Sequence, residues 1–246
     1  MFRALRIVAT LVVIVLVLSS CYPFQGVTVR TANTQTIVGS RKLIEKPYDL
    51  TDFTAVDISN GASTHITRGD TTSVKITVDD NIADYVEVEK VDGRLIIGLK
   101  DGSYKNITLK AEITMPALTG ATATGGSQMS FEGFATDAAL AFNTSGGASI
   151  TGEIEGGDTT VTASGGADVT LKGRGAKLIL NHSGGGRVDL SGFAVKDAAV
   201  LVTGGSDSEI NASGNVTGSV SGGGQIKVNG PAAVNVTANG GGRVLK

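Results

Sequence analysis

The sequence predicts an all-β, single-domain parallel β-helix, a solenoid whose turns run to about 19 residues. Three observations carry this reading. Of 246 residues, 35 are Gly and only 4 are Pro, whereas soluble domains average roughly 7% Gly and 5% Pro. Of those Gly, 28 fall in residues 120–246, where Gly pairs begin at 125, 146, 165, 184, 204, 222 and 240. Around each pair, apolar and polar residues alternate with the two-residue period of a strand that buries one face. A fixed spacing of this kind marks a solenoid, because one repeat cannot bury its apolar face without neighbours. Collagen needs a three-residue period rich in Pro, and a disordered chain is poorer in β-branched residues, so both are excluded.

In chain order, residues 1–20 read as an export signal. Arg3 and Arg6 form a positive start, and residues 7–18 form an apolar run too short to span a bilayer. The run meets Leu18-Ser19-Ser20-Cys21, which resembles a bacterial lipobox; Cys21, the only Cys in the chain, is then the lipidated residue of a membrane anchor. Tyr22 follows where an Asp resembling an inner-membrane retention signal is absent, which favours the outer membrane. One Cys also excludes an internal disulfide framework. Residues 21–46, polar and without a sustained period, are expected to be a tether, with the folded domain over 47–246.

Residues 51–118 are β-like but poorer in Gly. Runs such as Val74-Lys75-Ile76-Thr77-Val78 and Val86-Glu87-Val88 alternate, and Asp92-Gly93 and Asp101-Gly102 mark turns. Residues 81–85 have room for one helical turn.

In residues 120–246 the columns can be read by stacking the repeats. Inward positions before the Gly pair include Phe142, Val161, Leu180 and Val200, and then Thr144, Ala163, His182 and Val202. Inward positions after it include Ile150, Val169 and Val188, and then Phe131, Gly152, Leu171 and Leu190. A small polar residue precedes every pair, as in Ser145 and Ser164. Each repeat is therefore strand, Ser-Gly-Gly bend, strand and return, with right-handed crossovers the default. The bend explains the Gly, since Gly enters positive φ without a Cβ penalty. Pro is scarce because it removes a ladder donor. None of the pairs lies in a phosphate-loop context.

The succession Tyr48-Asp49-Leu50, Phe53, Val56-Asp57-Ile58, Gly61, Arg68-Gly69-Asp70, Ala83-Asp84-Tyr85-Val86, Asp92-Gly93-Arg94-Leu95 and Met115-Pro116-Ala117-Leu118 resembles the head GIN domain family. Its members are described as putative auto-transporter adhesins and are often envelope lipoproteins. The resemblance spans roughly residues 48–246 and implies a β-helical body in an adhesin-like protein. It transfers no catalytic residues.

Candidate chemistry is sparse. The only His residues are His65 and His182; neither stands in a zinc or Ser-His-Asp pattern, and His182 falls in an inward column. The columns bring Asp168, Arg187 and Asp207 onto successive rungs, and likewise Asp189 and Glu209. Such carboxylates could form a hydrolase or Ca²⁺ site, but with Arg187 among them they read first as a solvated charge ladder. Arg68-Gly69-Asp70 matches a cell-attachment tripeptide, though a strand-end turn explains it. Removing residues 1–20 takes two Arg and moves the net charge from −2 to −4; the basic residues do not cluster, so nucleic acid is not an expected partner. No cofactor is expected. The expected function is a non-catalytic binding and structural module of the cell envelope, held to the membrane through its lipid anchor. It would engage a glycan or an envelope or matrix protein, with self-association possible in principle. The competing readings are a β-helical polysaccharide-active enzyme and a self-assembling scaffold.

Overall fold

The computed structural model describes residues 35–246; residues 1–20 and Cys21, read as signal and lipidation site, lie outside the described residues. The strands and core described below all fall within one compact unit, Thr34–Lys246. Among the described residues there are two large sheets, of ten and eleven strands, and a small two-stranded one. Each rung gives one strand to each large sheet, and the two strands meet at a Gly corner. In the fourth rung, for example, Lys177–Gly184 lies in the ten-stranded sheet and Arg187–Val195 in the eleven-stranded one. Along the repeats, every strand pairs in parallel with its counterparts on the neighbouring rungs.

The register is the one that the Gly columns predict. Gln128, Ser149, Asp168, Arg187, Asp207, Gln225 and Arg243 succeed one another as paired residues. Departures from a constant spacing have a structural cause. The intervals of 21 and 20 residues after Gly125 and Gly184 each contain a register shift, at Phe131/Phe134 and at Leu190/Ala194. A bulge adds residues to one strand without disturbing the corner.

The corners stack directly. The first Gly of every pair has positive φ, between 54° and 105°, and a Cβ on Gly184 would lie 2.3 Å from the carbonyl oxygen of Gly165. Positive φ and rung-to-rung contact together make the position intolerant of a side chain. An eighth corner continues the column at Asn60-Gly61, both at positive φ, with the Asn60 nitrogen 3.4 Å from the Cβ position of Gly125. Asn is the non-Gly residue best suited to that conformation.

Between the sheets runs one continuous core. Val161, Leu180, Val188 and Leu190 are fully buried, as the columns require. Phe131 and Phe142, both inside, stack with ring centroids 5.4 Å apart and planes 11° apart. Gly218, which follows Val200 in its inward column, is exposed at φ 138°; a Cβ there would meet the Val200 carbonyl oxygen at 1.8 Å, so this column position is given over to a close backbone approach.

The N-terminal end differs from the repeats. Ser63–Arg68 and Ala55–Ile58 still pair in parallel, with Leu109–Met115 and Arg94–Leu99. Beyond these, Ser73–Asp79, Leu43–Tyr48 and Val86–Val91 add in antiparallel fashion and close the solenoid. The predicted Asp92-Gly93 turn joins Val86–Val91 to Arg94–Leu99 with both residues at positive φ, the conformation of a type I′ hairpin. The predicted helical turn is a 3₁₀ turn at Ala83–Tyr85. The expected tether over 21–46 and the domain start at 47 need correction: Thr36–Val38 and Leu43–Tyr48 are strands of the body. Their short, at most half-buried sequences, Thr-Ile-Val and Leu-Ile-Glu-Lys-Pro-Tyr, are those of an edge. Leu43–Tyr48 carries Lys46 and Pro47, which leave it half-exposed and discourage further pairing.

Candidate binding faces

The outward residues of the two sheets differ in kind, and this difference defines the candidate sites. On the eleven-stranded sheet the predicted ladder forms. The backbone N–H of Arg187 donates to Asp168 (2.9 Å), and its guanidinium stands 3.5 Å from Asp207 and 4.0 Å from Glu209. Glu209 accepts from Lys227 and from Asn229, both at 2.9 Å. These bonds, led by the one from Asn229, hold the Glu209 carboxyl below its ordinary pKa. Asp189 pairs across the rungs with Glu209, but its carboxylate accepts from the hydroxyl and N–H of Ser191 instead, at 2.7 and 3.1 Å. Those bonds from Ser191 lower its pKa. All five predicted residues are thus brought onto one face, and each is matched within it. Exposed pairs of this kind contribute a fraction of a kcal/mol each. Among the described residues, no group of three or more His, Cys, Asp or Glu side chains is placed to hold a metal ion.

Tertiary pairing also creates a cluster that spacing alone did not show. His65 lies beside Ser130 in register, with its Nδ1 2.8 Å from the Ser130 hydroxyl and its Nε2 3.9 Å from Glu132. The residue types match a hydrolytic triad, but the geometry does not. Glu132 stands beyond hydrogen-bond reach, the imidazole is half-exposed, and Ser130 sits mid-strand between two paired neighbours. The backbone N–H groups that would line an oxyanion hole are engaged in the ladder. The Arg68-Gly69-Asp70 tripeptide is an exposed strand end.

His182 is buried as its column predicts, with Nδ1 2.8 Å from the Ser208 hydroxyl, while its Nε2 has no partner. Burial pushes its pKa below 6.5, against the opposing pull of Asp207 and Asp168. In the unfolded chain the imidazole protonates as pH falls through about 6.5, while the folded state resists. Stability is therefore expected to hold above that pH and to decline below it. Thermal unfolding followed from about pH 7.5 to 5.5 should show this decline, and a chain carrying His182→Val with Ser208→Ala should lose part of it.

The outward face of the ten-stranded sheet is of another character. One outward column runs Ala141, Thr160, Ile179, Ala199, Thr217, Asn235, and the next Asn143, Thr162, Asn181, Leu201, Ser219, Thr237. Over these six rungs neither contains a charge; further toward the N-terminal end the same columns carry Arg94 and Asp57. Ile179 and Leu201 are 50% and 48% exposed. A groove of about 360 Å³ crosses four rungs here. It is lined by two outward columns, Thr160, Ile179, Ala199 and Thr217, and, where the strands begin, Asp158, Lys177, Asp197 and Asn215. Asp197 accepts from the backbone N–H of Asn215 at 2.9 Å. Reading the columns three and five residues before each Gly pair would have shown this uncharged face; only the inward columns announce themselves by hydrophobicity.

Comparison with known proteins agrees with the architecture. The family model described as putative auto-transporter adhesin, head GIN domain, matches residues 52–232. The chain is similar to the crystal structure of a putative adhesin from Bacteroides fragilis, with 24% identity, a TM-score of 0.77, and 85% of this chain and 98% of that chain covered. It is also similar to a putative adhesin from Parabacteroides merdae (20% identity, TM-score 0.66, 86% and 99% covered). A putative lipid binding protein from Parabacteroides distasonis shares the fold as well (14% identity, TM-score 0.61, 86% and 100% covered). No functionally curated protein matches the chain.

Proposed function

The chain belongs to the head GIN domain family, and from that membership we propose that it is a non-catalytic binding module of the bacterial cell envelope, lipidated at Cys21 and held at the outer membrane. It engages its ligand through an outward face of the solenoid. The observation that carries this reading is the disposition of the ionisable groups. On the eleven-stranded sheet they compensate one another from rung to rung and do not converge on a cleft, as acid–base chemistry requires. A long, rigid surface repeating at about 4.8 Å suits recognition of an extended partner. The family's adhesin-like character supports a place at the envelope, and the Leu18-Ser19-Ser20-Cys21 motif supports the anchor.

One experiment tests anchor and binding together. Cells producing the full chain are labelled with a fatty-acid analogue, fractionated, and scored for attachment to arrayed glycans and envelope or matrix proteins. Expected are a labelled chain in the membrane fraction and saturable attachment; Cys21→Ser should lose the label and leave the membrane fraction. A labelled chain that attaches to nothing on a broad array would remove the binding reading, and an unlabelled chain would remove the anchor.

A further inference from the structure

We propose that the outward face of the ten-stranded sheet around Ile179 takes a linear, uncharged glycan laid along the solenoid axis in the groove there. The inference rests on the binding-module reading and names its ligand class. The groove crosses the strands, so an occupant meets one rung after another, each about 4.8 Å on, close to the length of one pyranose unit. Along it the chemistry alternates by rung: Ile179 and Ala199 on the two middle rungs present aliphatic surface to ring C–H groups, and Thr160 on one flanking rung, with Asn215 and Thr217 on the other, present hydroxyl or amide groups. Ile179 stands half-exposed between Thr160 and Ala199 in its column, a large aliphatic left uncovered where the neighbouring rungs place small residues.

Other occupants fit less well. A peptide that docks by strand addition needs a free sheet edge, but on this face the strands are paired on both sides. A polyanion needs surplus positive charge, yet the groove is lined by one Lys, Lys177, and two Asp, Asp158 and Asp197.

The test titrates the body, residues 34–246, with uncharged linear oligosaccharides (β-glucans, mannans and xylans) of increasing length. Binding should be saturable, should strengthen until the ligand spans the four rungs, and should then level off. Ile179→Lys, at an exposed position, is expected to weaken it about tenfold or more, because an ammonium would be desolvated against the sugar ring. Thr217→Ala is expected to weaken it about two- to tenfold by loss of one hydrogen bond. Thr151→Lys, on the outward face of the other sheet, should leave it unchanged. Binding that both groove variants leave intact would overturn the site while sparing the binding-module reading. So would binding confined to polyanions, or a dimer that Ile179→Lys disperses. Attachment to nothing on the broad array would remove the binding reading itself.

Discussion

Replacing Gly152 by Leu is expected to destabilise the protein by about 3 kcal/mol, the upper end of typical overpacking costs. In its column Gly152 is followed by Leu171, Leu190, Ile210 and Val228, so a consensus substitution would place Leu there. The structure predicts the opposite of the usual consensus gain. Gly152 pairs with Phe131 on the preceding rung, and a Cβ at 152 would lie 2.1 Å from the Phe131 ring. The ring cannot retreat, because it stacks on Phe142. For a body of this size the cost corresponds to a fall of roughly 6–12 °C in Tm. Phe131→Ala alone opens a cavity and should cost about 3–5 kcal/mol. Combining it with Gly152→Leu should recover much of both losses, because the new side chain enters the space the ring leaves. Additive losses in the double variant, measured by thermal or denaturant unfolding, would show that the two sites do not share this space.

Asp79→Ala is expected to release the N-terminal closure at a cost of about 3 kcal/mol or more. Asp79 is fully buried. One carboxylate oxygen accepts the N–H of Arg41 at 2.5 Å, and the other accepts that of Thr108 at 2.6 Å. These bonds tie the bend before Leu43–Tyr48, where Arg41 adopts φ 65°, to the segment entering Leu109–Met115. Both bonds end on the one buried carboxylate, so its truncation leaves two backbone donors without that partner. Hydrogen exchange should report the loss locally, with amides of residues 36–48 and 103–108 exchanging faster while those of residues 140–230 stay protected. Uniform loss of protection would show that the closure and the repeats unfold as one unit.

The repeats were legible because a solenoid writes its geometry locally. Each corner needs Gly at one position, each strand needs alternation, and the same needs recur every rung, so seven imperfect copies reinforce one another. The N-terminal closure has no such redundancy. Leu43–Tyr48 pairs with Ser73–Asp79, and that strand with Leu109–Met115, across intervals that no period links. A short edge strand, held half-exposed, looks like part of a tether until its partner is known. Register brings the five residues of the ladder onto one face, but their hydrogen bonds were not foreseeable. Asp189 meets Ser191 two residues along its own strand, although Glu209 is its partner across the rungs.

The excess of Gly with its spacing, and the alternation around it, determined by themselves that this chain coils into stacked parallel strands with an apolar interior. Backbone conformation and side-chain period are properties of short segments, so a linear text can carry them. Tertiary structure alone decided which rung leaves room for Phe131, which strands close the end, and that the uncharged columns form one grooved face across four rungs. Those outcomes depend on which distant residues come within a few ångströms of one another, and pairing settles that where composition does not.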